Sequence, residues 1–419
     1  MASPNAARHT SGTIVGVTAG RRVEDALAFV FVAFAFLVTM LGTTSPTPLY
    51  PAYEKRFGFG ALTVTIVFAT YAVGVLAALL LVGRASDTVG RRPTLLAGLA
   101  LAAASTVVFL VAAHAHGGGL ALLLVGRLLS GFSAGVFTGT ATAALADFAG
   151  DRNPARASLT AAVTNIVGLG LGPLVAGALA REVAYPLTTP FALHLALVAT
   201  AAAAVWAIPE PVEIRRPRRL SLQRLGVPEA LRATFVQAGV AGFAGFAVLG
   251  FFTAVTPAAL AVLGHHDPLV TGLVVFAVFG ASAVGQLGSV RLTVRSAILG
   301  GTATLVVGIA LVGTAIGATS LALLVAGGIV SGLGQGLSFR AALGAVTGGS
   351  PPDQRAAVSS SFFAVCYVGI SLPVVGIGAG SNAYGLVRTA QVFAGVVAVL
   401  CLAALASLAR SPGAVPAAG

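Results

Sequence analysis

The chain has 419 residues, 57% of them hydrophobic and only 9% charged, with a mean hydropathy of +0.97. A soluble domain carries about 25% charged residues, so a soluble globular fold is excluded and a polytopic membrane protein is implied. The net charge of +12 does not signal nucleic acid, because the basic residues are scattered through short loops rather than gathered on one domain.

Residues 1–23 hold Arg8, Arg21 and Arg22 but no apolar core, and read as a cytoplasmic tail rather than a signal peptide. Apolar runs long enough to cross a bilayer, roughly 20 residues, then fall at 24–43, 61–82, 93–113, 120–146, 157–179 and 190–208. A polar linker, 209–230, carries Arg215-Arg216-Pro217-Arg218-Arg219. Six more runs follow at 234–256, 268–290, 296–317, 319–342, 356–379 and 385–409. The expectation is an all-α membrane protein of twelve helices. Its six-helix bundles occupy 24–208 and 231–410, and a tail occupies 411–419. The 53 glycines suit close helix packing in lipid. Cys366 and Cys401 both lie in apolar runs, so neither a disulfide framework nor a metal site is implied, and no cofactor is expected.

The two halves resemble each other at an offset near 200 residues. Ser130-Gly131-Phe132-Ser133-Ala134-Gly135 recurs as Ser331-Gly332-Leu333-Gly334-Gln335-Gly336, and Gly172-Pro173 as Leu372-Pro373. A six-span repeat is what transporters with a midplane site show. With the N-terminus in the cytoplasm, 19 of the 24 basic residues fall on that side, Arg340 among them. Lys55, Arg56, Arg181 and Arg388 fall outside, and Arg127 lies within a span. The bias places both termini in the cytoplasm.

Three stretches carry more than topology. Between the second and third spans runs Gly83-Arg84-Ala85-Ser86-Asp87-Thr88-Val89-Gly90-Arg91-Arg92. Gly83 lets another helix approach, Gly90 suits a tight turn, and Arg91 and Arg92 meet the headgroups. The fourth span contains Arg127 followed by Gly131 and Gly135. An arginine at that depth must face protein or a water-filled cavity, or else snorkel to the interface. The fifth span reads Gly168-Leu169-Gly170-Leu171-Gly172-Pro173-Leu174-Val175-Ala176-Gly177. Its glycines allow close backbone approach, and Pro173 removes a donor and kinks the helix.

The loop matches G-x-x-x-D-x-x-G-R-[RK], and through it the chain resembles the major facilitator superfamily. The fourth span resembles the family's R-x-x-x-G motif, linked there to proton coupling. The fifth resembles the antiporter motif G-x-x-x-G-P-x-x-G-G, with Ala176 replacing one glycine. The resemblance implies that Asp147, ending the fourth span, pairs with Arg91. It also implies that Asp87 lies near the start of the eleventh helix, where the positive dipole end favours an anion, so that the cytoplasmic side latches shut in the outward-open state. For proton coupling it points to Arg127 and, at the inner end of the first helix, to Asp25, although a helix-starting acid is the plainer reading of Asp25. His194 near the outer end of the sixth span is expected to be interfacial.

Candidate substrate contacts near mid-span are Tyr71, Asn165, Gln335 and Tyr367, with Phe34 or Phe36 opposite, although helix–helix contacts would use the same residue types. The lining expected from these is mostly apolar and uncharged, which favours neutral or amphipathic solutes. The implied activity is proton-coupled export of a small lipophilic compound across the plasma membrane, by a monomer set in the lipid bilayer. The rivals are a proton symporter importing a metabolite and a non-transporting membrane sensor or scaffold. No phosphate-binding loop of the G-x-x-x-x-G-K-[ST] type and no catalytic triad supports ATP drive or an enzyme.

Overall fold

The computed structural model describes residues 10–83, 85–150, 153–212, 225–351 and 354–410, with side chains described from Val23 onward and not at Ala85. The basic run 215–219 expected in the linker therefore lies outside the described residues, as do Arg84, Asp151 and Arg152.

Twelve helices are long and apolar enough to cross a membrane. They are α1 (Thr10–Thr44), α2 (Ala61–Val82), α3 (Arg91–His114), α4 (Gly119–Ala149), α5 (Pro154–Glu182), α6 (Thr189–Ala207), α7 (Arg232–Gly250), α8 (Pro268–Ser289), α9 (Val294–Gly317), α10 (Leu321–Gly348), α11 (Arg355–Tyr384) and α12 (Leu386–Arg410). In hydrocarbon every backbone polar group must be paired within the segment, so each apolar run becomes a helix. The protein is an all-α, multi-pass membrane protein. Twelve crossings bring the first and last helices back to one side, called here the terminal face, with the far face opposite.

Several helices outrun the apolar runs that announce them. α1 starts at Thr10 rather than 24, so Glu24 and Asp25 sit inside a helix and do not begin one. α10 extends past 342 to Gly348. Hydropathy marks only the stretch in the acyl chains, whereas helical hydrogen bonding continues into the headgroup layer. α7 passes into a π turn at Phe251–Val255 and resumes at Thr256–Val262. Pro257 lacks an N–H and crowds the carbonyl four residues back, and the wider turn accommodates it.

Lipid is as apolar as a leucine, so helices associate through close packing rather than through the hydrophobic effect. The glycine repeat shows how. A Cβ on Gly131 of α4 would overlap the carbonyl oxygen of Tyr71 in α2, and one on Gly74 would overlap that of Leu128. The second half repeats the joint. A Cβ on Gly332 or Gly336 of α10 would overlap the carbonyls of Val278 or Ser282 in α8. Large apolar side chains such as Val73, Val125, Val307, Leu372 and Val392 remain exposed, as a surface that meets lipid requires.

The halves meet through α5 on α8 and α11 on α2, and the tight points lie toward the far face. A Cβ on Gly177 would overlap the Pro268 carbonyl, one on Gly272 the Pro173 carbonyl, and one on Gly378 the Thr65 hydroxyl. Arg181, near the end of α5, reaches Asp267 at the start of α8 at 3.2 Å.

Candidate functional site

A cavity of about 380 Å³ lies between the halves. Toward the far face it ends against Thr43, Thr44, Phe68 and Arg127. Toward the terminal face its lining continues through Thr142, Ser158, Gly344 and Thr347, close to the ends of their helices. The far side is thus closed and the terminal side open.

Of the residues expected at a substrate site, Tyr71, Asn165, Gln335, Tyr367 and Phe36 line this cavity. Phe34 does not. It packs among the helices of the first half, two positions round the helix from Phe36. Tyr71 and Tyr367 face each other across the halves with ring centroids 6.3 Å apart. Gln335 accepts a hydrogen bond from Ser282 Oγ at 2.5 Å, and its Nε2 is buried without a partner.

Arg127 does not snorkel. It is 2% exposed, eight residues inside α4. Its Nη1 donates to the Thr43 carbonyl and its Nη2 to the Phe68 carbonyl at 3.5 Å. The guanidinium lies 4.8 Å from the Tyr71 ring centroid. These contacts join α4 to α1 and α2 at the closed end of the cavity.

The expectation of an uncharged lining fails at Arg340. Counted with the basic residues of the cytoplasmic side, near the end of the run 319–342, it lies inside α10, eight residues before the helix ends, and lines the cavity beside Phe339. The apolar run stops near residue 342, but the helix continues and turns the side chain inward. The lining also carries Thr138, Thr253 and Gln286. A 3.6-residue period could have placed these polar positions on one face; composition alone could not.

The terminal-face loop is built around Arg91. Its Nε donates to Asp147 Oδ2 at 2.9 Å, and Nη1 donates to Ser86 Oγ and to Asp87. Asp87 therefore pairs within the first half. Among the described residues its ion pair is with Arg91, not with the start of α11. Gly83 is exposed in the turn that ends α2. Gly90 has φ +110°, and a Cβ there would come 2.7 Å from Glu210 Oε2. Sequence reasoning missed Glu210, which it left in the linker. Its carboxylate accepts from the Arg91 and Arg92 amides at 2.8 and 2.9 Å, an anion on a helix N-terminus. The Arg92 guanidinium stacks 5.0 Å from the Trp206 ring, beside the same helix end.

In α5 the motif faces two ways. Gly168 and Gly172 abut α1, where a Cβ would come 2.8 Å from the Leu37 carbonyl or overlap that of Leu41. Gly177 and the Pro173 carbonyl abut α8 of the other half. The motif is thus a seam joining α1 to the interface between halves.

Asp25 is half-buried near the terminal face and does not line the cavity. His194 is not interfacial. It is 4% exposed between helices, 2.7 Å from Thr106 Oγ1 and 3.1 Å from the Val38 carbonyl. Gly42 leaves room for its ring, since a Cβ there would overlap it.

Comparison with known proteins agrees with this architecture. A model described as the Major Facilitator Superfamily matches residues 32–373. The chain is 26% identical over 204 residues to multidrug resistance protein 2 of Bacillus subtilis (strain 168), covering 47% of this chain and 48% of that protein. It is 34% identical over 143 residues to a citrate-proton symporter of Salmonella typhi, covering 33% and 31%. Over 155 residues it is 34% identical to a citrate-proton symporter of Klebsiella pneumoniae, covering 36% and 32%. The matches thus span half or less of these relatives. With its twelve spans, its repeated halves and a family match over most of its length, the chain belongs to the Major Facilitator Superfamily and is a transporter rather than an enzyme.

Proposed function

We propose that the protein exports a small amphipathic compound from the cytoplasm in exchange for protons, by alternating access. The observation that carries this is the cavity, closed at the far face by α5 on α8 and α11 on α2 and open at the terminal face. Its volume of about 380 Å³ suits a single small molecule. The terminal face is assigned to the cytoplasm by the bias of basic residues, which makes this conformation inward-open. Export is supported by the near-complete antiporter pattern from Gly168 to Gly177 and by the similarity to a multidrug resistance protein.

Symport is the second reading. It is favoured by the absence of Asp, Glu or His among the described residues lining the cavity, where an exchanging proton would compete with substrate, and by the similarity to two citrate-proton symporters. Everted membrane vesicles decide between them. With the lumen acidified, an exporter accumulates the transported compound in the lumen as protons leave. Release of preloaded compound under that gradient would establish symport instead. Gly172→Leu is expected to abolish the gradient-driven flux, because its side chain would have to occupy the space of the Leu41 carbonyl.

A further inference from the structure

We infer that the cavity takes an organic anion, an aromatic carboxylate whose charged end docks on Arg340. The inference rests on reading the cavity as the transport site, and it holds for either direction of transport.

Among the described residues, those lining the cavity include two arginines, Arg127 and Arg340, and no aspartate, glutamate, lysine or histidine. No described carboxylate of the lining offsets either cation; Arg127 is buried and Arg340 half-buried, so their charges are screened less than in open water. A cationic substrate would meet two like charges and no counter-ion, and an anion would meet the reverse.

The unpaired donors of the lining point the same way. Three buried polar atoms of the lining have no partner: Arg127 Nε, Gln335 Nε2 and Arg340 Nη1. All three are donors. Buried donors left unpaired are costly, and a site that keeps them has them satisfied by something else. A carboxylate is a pure acceptor with about four lone-pair positions.

The two arginines differ in availability. Arg127 already spends donors on the Thr43 and Phe68 carbonyls and lies against the rings of Phe68 and Tyr71. Arg340 has no hydrogen bond or ion pair with any described residue. Its planar fork is the better fit to a carboxylate edge. Beside it in the chain is Phe339, packed 5.2 Å from Phe246 and 6.2 Å from Phe363. That cluster offers a wall for the apolar body of the same molecule. A docked anion would place its charge on Arg340 and its ring against these phenylalanines.

The test uses the full chain purified in lipid nanodiscs and its thermal stabilisation by matched probes. The probes are a graded panel of arylalkanoates from benzoate to 4-phenylbutyrate, each beside its neutral amide and its amine counterpart. At least one carboxylate is expected to raise the melting temperature in a saturable way, with its amide and amine weaker by tenfold or more. Arg340→Gln should weaken the carboxylate by about tenfold or more, as loss of a charge-assisted hydrogen bond does, and Arg340→Lys should retain part of the affinity. Amines or amides binding as tightly as carboxylates, no carboxylate stabilising the wild type, or unchanged affinity in a folded Arg340→Gln would each overturn the inference. The wild-type probe series stands even if the glutamine variant fails to fold. Vesicle flux of the same carboxylate separates the two ideas: binding without gradient-driven flux defeats the export reading alone, and a preference for amines defeats only the anion.

Discussion

Arg91 shows how one side chain organises a loop. It joins Asp87, Asp147 and Ser86 on the side-chain side, while Glu210 holds its backbone amide. The Asp87 carboxylate is 57% exposed, and an exposed pair contributes about 0–1 kcal/mol. Asp87→Asn is therefore expected to shift the melting temperature little, since Asp147 still holds Arg91. Its effect should appear in turnover, because the loop charges act when the halves close on the terminal face. A transport rate at least tenfold lower at equal expression is the expected result. Undiminished transport would reduce the loop to a topology signal. The loop residues were legible from their spacing. Glu210 was not, because its role depends on the end of α6 lying beside the start of α3, a contact between residues more than a hundred positions apart.

At the scale of elements, the glycines divide into joints and bystanders, and the division is testable. Gly131 and Gly336 are joints, one in each half, each with a carbonyl where a methyl would go. Gly131→Ala and Gly336→Ala must push two helices apart, at a cost of about 1–3 kcal/mol for overpacking. Each should lower the melting temperature of the detergent-purified protein and reduce transport. Gly395 of α12 has open space around its missing Cβ. Gly395→Ala should be neutral or stabilising by up to about 1 kcal/mol, from helix propensity alone. Equal damage at all three positions would mean that the glycines matter for flexibility rather than for packing. The glycine spacing was plain in the chain. Which glycine touches which helix was not, because a small-residue stripe names no partner.

For the whole molecule, sidedness and conformation are linked: the open mouth must face the compartment that holds the termini. Glu229, in the 3₁₀ turn before α7, and Tyr185, in the far-face loop after α5, are both exposed. Cys366 and Cys401 are buried, so the wild type should label weakly with an impermeant thiol reagent. In intact cells Tyr185→Cys is expected to label and Glu229→Cys to resist until the membrane is permeabilised. The opposite pattern would invert the topology and turn the inward-open state outward. Sidedness also sets the energetics of an anionic cargo, since a negative charge leaving a negative interior gains about 2.3 kcal/mol per 100 mV.

The sequence by itself determined the class, the number of spans, the repeat and the motif positions. Each of these rests on a local property: hydropathy over about 20 residues, or spacing within one loop or helix. Tertiary structure alone decided what lines the cavity. Phe34 and Phe36 are indistinguishable by composition, and only the rotation of α1 sends Phe36 to the cavity. Arg340 counted as a cation of the cytoplasmic side because the apolar run ends just beyond it, yet α10 continues and its side chain lines the cavity. His194 read as interfacial, yet Gly42 opens the space that buries it. Helix rotation and helix pairing arise from contacts between distant segments. A membrane environment makes those contacts through small residues that many helices share, so their partners become visible only once the helices are assembled.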